Sequence, residues 1–185
     1  MEKDVVQVLT ENHAVLGWLA ERLQGERAAA AVEPLLFNEF ARALGGHQTV
    51  IDQTVIPALK SCGWRGVASD VLIGHVALKR SLAELLTLKR DDGRFREALK
   101  QLSLQLAAQR ECERVKLLPV LRKCLDDGQR ALMAFDAELH LTRIFGATRL
   151  PLDEVDLSQG ADDLIAEAQV VLASLPSAPP HRPLH

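Results

Sequence analysis

Tyrosine is absent from this chain of 185 residues, and aromatic residues together make up only 4%. Strand-rich folds draw on aromatic and β-branched side chains for their half-buried pleated faces, so this shortage argues against an all-β fold. Cysteine is sparse as well: Cys62, Cys112 and Cys124 are odd in number and lack CxxC spacing. They read as free thiols of a reducing cytosol. Charge is nearly balanced at −3, which leaves no electrostatic footprint for nucleic acid. Met1 to Thr10 is charged and mixed, unlike a signal peptide, and no apolar run approaches membrane length. A cytoplasmic protein is expected, with neither nucleic acid nor membrane as partner. No Gly-rich phosphate loop is found, since Gly45-Gly46 lies inside a helical pattern and not after a strand.

What is present is aliphatic. Hydrophobic residues reach 48%, enough for one domain with a full core and an appendage. Apolar or special residues at Val6, Leu9, His13, Leu16, Ala20 and Leu23 alternate in steps of three and four, the inward seam of a helix capped by Asp4 and stopped by Gly25. Glu33-Pro34 opens a second helix with seam Phe37, Phe40, Leu44, His47, Ile51, Thr54 and Ala58. Gly45-Gly46 costs about 1 kcal/mol per glycine relative to alanine and marks an expected kink; Pro57 is expected to bend the helix further on. A third helix, Val67 to Lys89, carries Val71, His75, Leu78, Leu82 and Leu85 inward. A fourth, Phe95 to Leu125, carries Leu99, Leu102, Leu106, Gln109, Glu113, Leu117 (or Lys116), Val120 and Cys124, with a late bend at Pro119. Short turns between long amphipathic helices predict an all-α, up-down-up-down four-helix bundle over residues 1–127. Residues 128–175 are expected to form a helical extension, with helices at Gln129–Phe145 and Ala161–Leu175, and 176–185 a proline-rich disordered tail.

The seams hold an internal echo. His47 follows His13 by 34 positions and Gln109 follows His75 by 34 positions, while Pro57 and Pro119 each lie ten beyond His47 and Gln109. Polar residues therefore point inward from all four helices. A lone histidine on an apolar face is most often a satisfied core residue. Three on successive helices, with Glu113 on the fourth, form a candidate transition-metal site, because a buried carboxylate needs a metal, a cation or strong donors. Lys79, one turn beyond His75, is a candidate ion-pair partner for Glu113 in a metal-free core. The residues alone leave both readings open. His140, His181 and His185 carry no assigned role.

Across roughly residues 4 to 125 the pattern resembles the hemerythrin-like family of HHE cation-binding domains. That family places a histidine on the first and third helices and His-x-x-x-Glu on the second and fourth, each followed by a proline. His13, His47, His75 and Glu113 match it. The resemblance implies a di-iron centre, bridged by two carboxylates, that handles oxygen or senses iron and oxygen. Two positions depart from the pattern. Ile51 stands where the bridging glutamate of the second helix belongs and cannot bridge metals, and Gln109 stands for the fourth-helix histidine, offering an amide oxygen as a weak ligand. Asp52 points about 100° away around the helix, too far to replace Ile51.

In the family arrangement one metal lies between the first- and second-helix histidines, and that half keeps His13, His47 and Glu113. The expectation is a binding or sensing protein, not an enzyme, with an incomplete di-iron site. It holds at most one iron or other transition-metal ion, with His75 nearby, and takes oxygen, nitric oxide or iron itself as ligand. The alternative is a metal-free helical module that binds a protein partner, or a second copy as a homodimer, through the C-terminal helices.

Overall fold

A computed structural model describes residues 3–25, 33–89 and 92–145. Within them the chain is all helical. Helix α1 spans Val5–Gln24. Helix α2 runs Glu33–Val50 and continues through a π-helical turn, Ile51–Val55, into Ile56–Ser61. Helix α3 is Arg65–Leu86. Helix α4 runs Gly93–Cys112, then a π-helical turn, Glu113–Leu117, then Leu118–Cys124. Helix α5 is Asp127–Phe145. The sixth helix expected at Ala161–Leu175, the loop before it and the tail lie outside the described residues.

Local chemistry sets the helix ends. Asp4 Oδ1 accepts from the Gln7 backbone N–H and Gln7 Oε1 from that of Asp4, both at 2.9 Å, a reciprocal capping box that starts α1. Asp126 and Gln129 repeat the device at 2.8 and 3.0 Å to start α5. Asp92 caps α4 through Arg94 N at 2.9 Å. Between α2 and α3 the chain reverses at Gly63, whose φ of 84° lies in the left-handed region that favours glycine. The N–H of Trp64 then closes the turn on the Leu59 carbonyl at 2.8 Å.

The helical hydrogen bonding of α2 runs unbroken through Gly45-Gly46, where a kink is expected, and changes six residues later, ahead of Pro57. The reason is the proline itself. It has no N–H to give, and its ring crowds the carbonyl four residues back. A wider i→i−5 turn, closed by the Ile56 N–H on the Ile51 carbonyl, accommodates both. Pro119 does the same in α4, where the Leu118 N–H closes on the Glu113 carbonyl.

The core divides into two apolar clusters. One end of the bundle packs Val5, Leu9, Val50, Ile51, Val55, Leu59, Val71, Leu117 and Leu121, and the other packs Leu16, Phe37, Phe40, Leu44, Leu78, Leu82, Leu102 and Leu106. Leu117, not Lys116, takes the inward position; Lys116 reaches outward to Asp70 at 2.6 Å. Each helix crosses from one cluster to the other at a polar residue, so a single polar layer separates them.

Helix α5 lies across α1 and α2. It gives Ala134 and Ala137 to the first cluster, and ties itself down through Arg130 to Asp4 at 3.4 Å and Lys3 to Glu138 at 3.1 Å. Residues 40–48 of α2 are consequently buried on every side. Ala137 is fully buried, so Ala137→Leu is expected to overpack this contact and cost about 1–3 kcal/mol, read as a lower urea midpoint with unchanged m-value. An unchanged midpoint would mean that α5 does not belong to the core.

Candidate metal centre

The polar layer is built around Glu113, which is 0% exposed. It sits at the first position of the π-helical turn in α4, and its carboxylate accepts from all four bundle helices. Oε2 accepts from His13 Nε2 at 2.7 Å and from His47 Nε2 at 2.9 Å. Oε1 accepts from Gln109 Nε2 at 2.7 Å and from His75 Nε2 at 3.2 Å. An ionised carboxylate only accepts, so each of these imidazole Nε2 atoms carries a proton in the metal-free protein. The rings lie close together, with centroids 4.9 Å apart for His13 and His47 and 6.3 Å for His47 and His75.

Sequence reasoning misses two members of the layer. Asp52 does point away from Glu113, but it turns toward α3, where its Oδ1 accepts from His75 Nδ1 at 2.9 Å. His75 thus donates to a carboxylate at each nitrogen, which makes it an imidazolium. The signal in the sequence is an acid on the flank of α2 facing a histidine on the next helix, and pairing them requires knowing how two helices are rotated. Gln48 also belongs here: buried, it donates from Nε2 to the His75 carbonyl at 3.3 Å.

Two expectations change. The ion pair of Lys79 with Glu113 is replaced by a different pairing, because Glu113 is filled by imidazole and amide donors while Lys79 Nζ lies 3.6 Å from Asp52 Oδ2. Position 79 is one turn past His75, and that step carries the ammonium along α3 toward the flank that Asp52 occupies. Gln109 does not offer its oxygen to the centre either. Its amide nitrogen bonds Glu113 and the Val71 carbonyl at 3.3 Å, and two acceptors on one atom settle which end of the amide is which. The oxygen lies against Gly74, where an added Cβ would come within 1.7 Å. Ile51, where the resemblance places a second carboxylate, is fully buried in the first apolar cluster.

Charge follows from these contacts. Burial alone would raise the Glu113 pKa, but the His13, His47 and His75 donors outweigh it and hold the carboxyl well below its ordinary 4.5. His47 is dominated by burial, which lowers it below 6.5 against the pull of Glu113, so it stays neutral at neutral pH. Its Nδ1 has no hydrogen-bond partner among the described residues. His75 is also opposed by burial, yet its bonds to Asp52 and Glu113 prevail and raise it above 6.5.

No protein-family model matches this sequence, and no curated protein does. Among solved structures, a hemerythrin HHE cation-binding domain-containing protein from Mycobacterium kansasii superposes with a TM-score of 0.75 at 18% identity, over 89% of this chain and 98% of that one. The fold is hemerythrin-like. Within this hemerythrin-like bundle, His13, His47 and Glu113 bring one ligand atom each to within 4.8 Å of one another, all three residues buried. No helix among the described residues is long and apolar enough to cross a membrane.

The His75–Asp52 bond has a measurable pH signature. A group whose pKa rises on folding contributes stability below its unfolded value, 6.5 for this histidine, and loses it as pH climbs through the folded value. In metal-free protein held in chelator, Asp52→Asn is therefore expected to cost about 1 kcal/mol at pH near 5.5, with the gap to the parent shrinking as pH rises. Urea denaturation at several pH values measures it. A gap independent of pH assigns the role of Asp52 to Lys79 instead.

Proposed function

We propose that this protein binds one transition-metal ion through His13 Nε2, His47 Nε2 and the Glu113 carboxylate, and uses it to bind or sense a small ligand: oxygen, nitric oxide or the iron itself. The observation that carries this reading is the donor set. Two imidazoles and one carboxylate converge inside a buried layer, a mononuclear combination suited to iron(II) with coordination positions left open. A bound metal would supply a Lewis-acidic, redox-capable centre for a diatomic ligand. The chain's own residues do the rest. The two apolar clusters keep bulk water from the layer, and the neutral His47 would free its Nε2 for a metal by shifting the proton that it now donates to Glu113 onto Nδ1.

Among the described residues a second metal finds no equivalent set. His75 is held as an imidazolium between two carboxylates, Gln109 turns a donor toward Glu113, and Ile51 is hydrocarbon. The fit is to one ion, on the α1–α2 side. No catalytic role is proposed for it.

The test is metal analysis of protein purified without a histidine tag and reconstituted with ferrous iron in the absence of oxygen. About one equivalent is expected, with visible bands on adding nitric oxide, while His47→Ala and Glu113→Gln fall below about a tenth of an equivalent. The same low content in the parent protein overturns the proposal.

One observation favours a metal-free module instead. Glu113 already has four donors, so the carboxylate is satisfied without an ion. Under that reading the outer stripe of α5, Leu132, Phe135 and Leu139, exposed at 70%, 68% and 41%, is the face for a partner protein or a second copy. Glu113→Gln then costs about 3–5 kcal/mol in the urea melt, while the parent protein shows neither metal nor a visible band.

A further inference from the structure

Outside the polar layer, one pair of reactive side chains is brought together by the fold. Cys62 is the first residue beyond the Ile56–Ser61 end of α2, and Cys124 is the last residue of α4. Each lies five positions after its helix's proline, so the internal echo of the sequence places them at matching ends of neighbouring elements. Both thiols are free; Cys62 is exposed and Cys124 half-buried. The Cys62 Sγ donates to the Cys124 carbonyl at 3.6 Å. The two ends are also joined independently, because Lys123 Nζ stands 5.5 Å from the Trp64 ring centroid.

We propose that Cys62 and Cys124 are a redox couple that closes to a reversible disulfide, stapling the end of α2 to the end of α4. The oxidant is a low-molecular-weight disulfide of the glutathione class. The Cys62 thiolate attacks one of its sulfurs, forming a mixed disulfide and releasing one thiol. Cys124 then loses its proton and attacks the Cys62 sulfur, releasing the second thiol. Two protein thiols and one small disulfide give one protein disulfide and two small thiols, with no electrons left over.

The roles follow from the surroundings. Cys62 meets solvent and takes the oxidant first. Burial and the neighbouring Cys62 thiol push the Cys124 thiol up to about 11, so it keeps its proton and resolves the mixed disulfide only once that lies beside it. A disulfide between these residues closes a loop of about sixty residues containing all of α3 and α4. Loops of that length restrict the unfolded chain strongly.

The experiment uses the full chain and oxidised glutathione. Titratable thiols are expected to fall from three to one, and peptide mapping without reductant to recover a 62–124 crosslink. Thermal unfolding should shift up by roughly 10 °C and return with dithiothreitol. Cys112→Ser should leave the crosslink intact, and Cys124→Ser should accumulate one glutathione on Cys62. Glutathione retained on Cys62 of the parent protein without a crosslink would overturn the proposal. So would a disulfide between two chains through Cys62, or an unchanged count of three thiols.

Discussion

An ionised carboxylate at the centre of a helical bundle costs several kcal/mol unless its oxygens find strong donors. Glu113 has no exposure to water, and everything around it answers that cost. Its four donors arrive one from each of α1, α2, α3 and α4. The carboxylate is therefore a register pin as well as a buried charge. Sliding any helix by one turn would withdraw a donor and set an imidazole or amide into one of the flanking apolar clusters. The division of the core follows directly, with hydrocarbon at both ends and one polar layer between, at the height of His13, His47, His75 and Glu113.

The layer is built from two halves of matching spacing that differ in what they hold. Both α2 and α4 carry a proline ten residues beyond a polar position, and both relieve it with a π-helical turn starting six residues before the proline. In α4 that turn begins at Glu113 and aims it inward. In α2 it begins at Ile51, which joins the hydrocarbon. The charge that a second metal would bring is supplied by His75 as an imidazolium, anchored from α2 by Asp52. On the α1–α2 side, by contrast, burial keeps His47 neutral at neutral pH and two Nε2 atoms converge on one oxygen. Both of those nitrogens are now held as donors by the Glu113 carboxylate.

Helix α5 and the proline-bearing ends of α2 and α4 add constraints of another kind. By lying over α1 and α2, α5 removes the middle of α2 from solvent, which explains why residues 40–48 show no exposed face. At the same end of the bundle as the first apolar cluster, Cys62, Trp64, Lys123 and Cys124 bring two chain ends together without burying them fully. Rigid packing at the polar layer and chemically accessible ends are thus properties of the same two helices.

Much of this was written in the local sequence. The three-and-four spacing located all four bundle helices and α5, because the apolar period of a helix is a property of the helix alone. Asp4 marked the start of α1, since a cap needs only its own first turn. His13, His47, His75 and Glu113 fell on inward seams for the same reason. What the spacing could not supply was rotation between helices. The bond of Asp52 to His75, the turning of the Gln109 amide against Gly74 and the departure of Lys79 from Glu113 each depend on how two separate helices face one another. That is settled by side-chain packing across the bundle and not by any period along it. The sequence by itself determined an all-helical bundle with a carboxylate and three histidines inside. Only the tertiary structure decided which nitrogen meets which oxygen, because a buried charge selects its partners from every helix within reach.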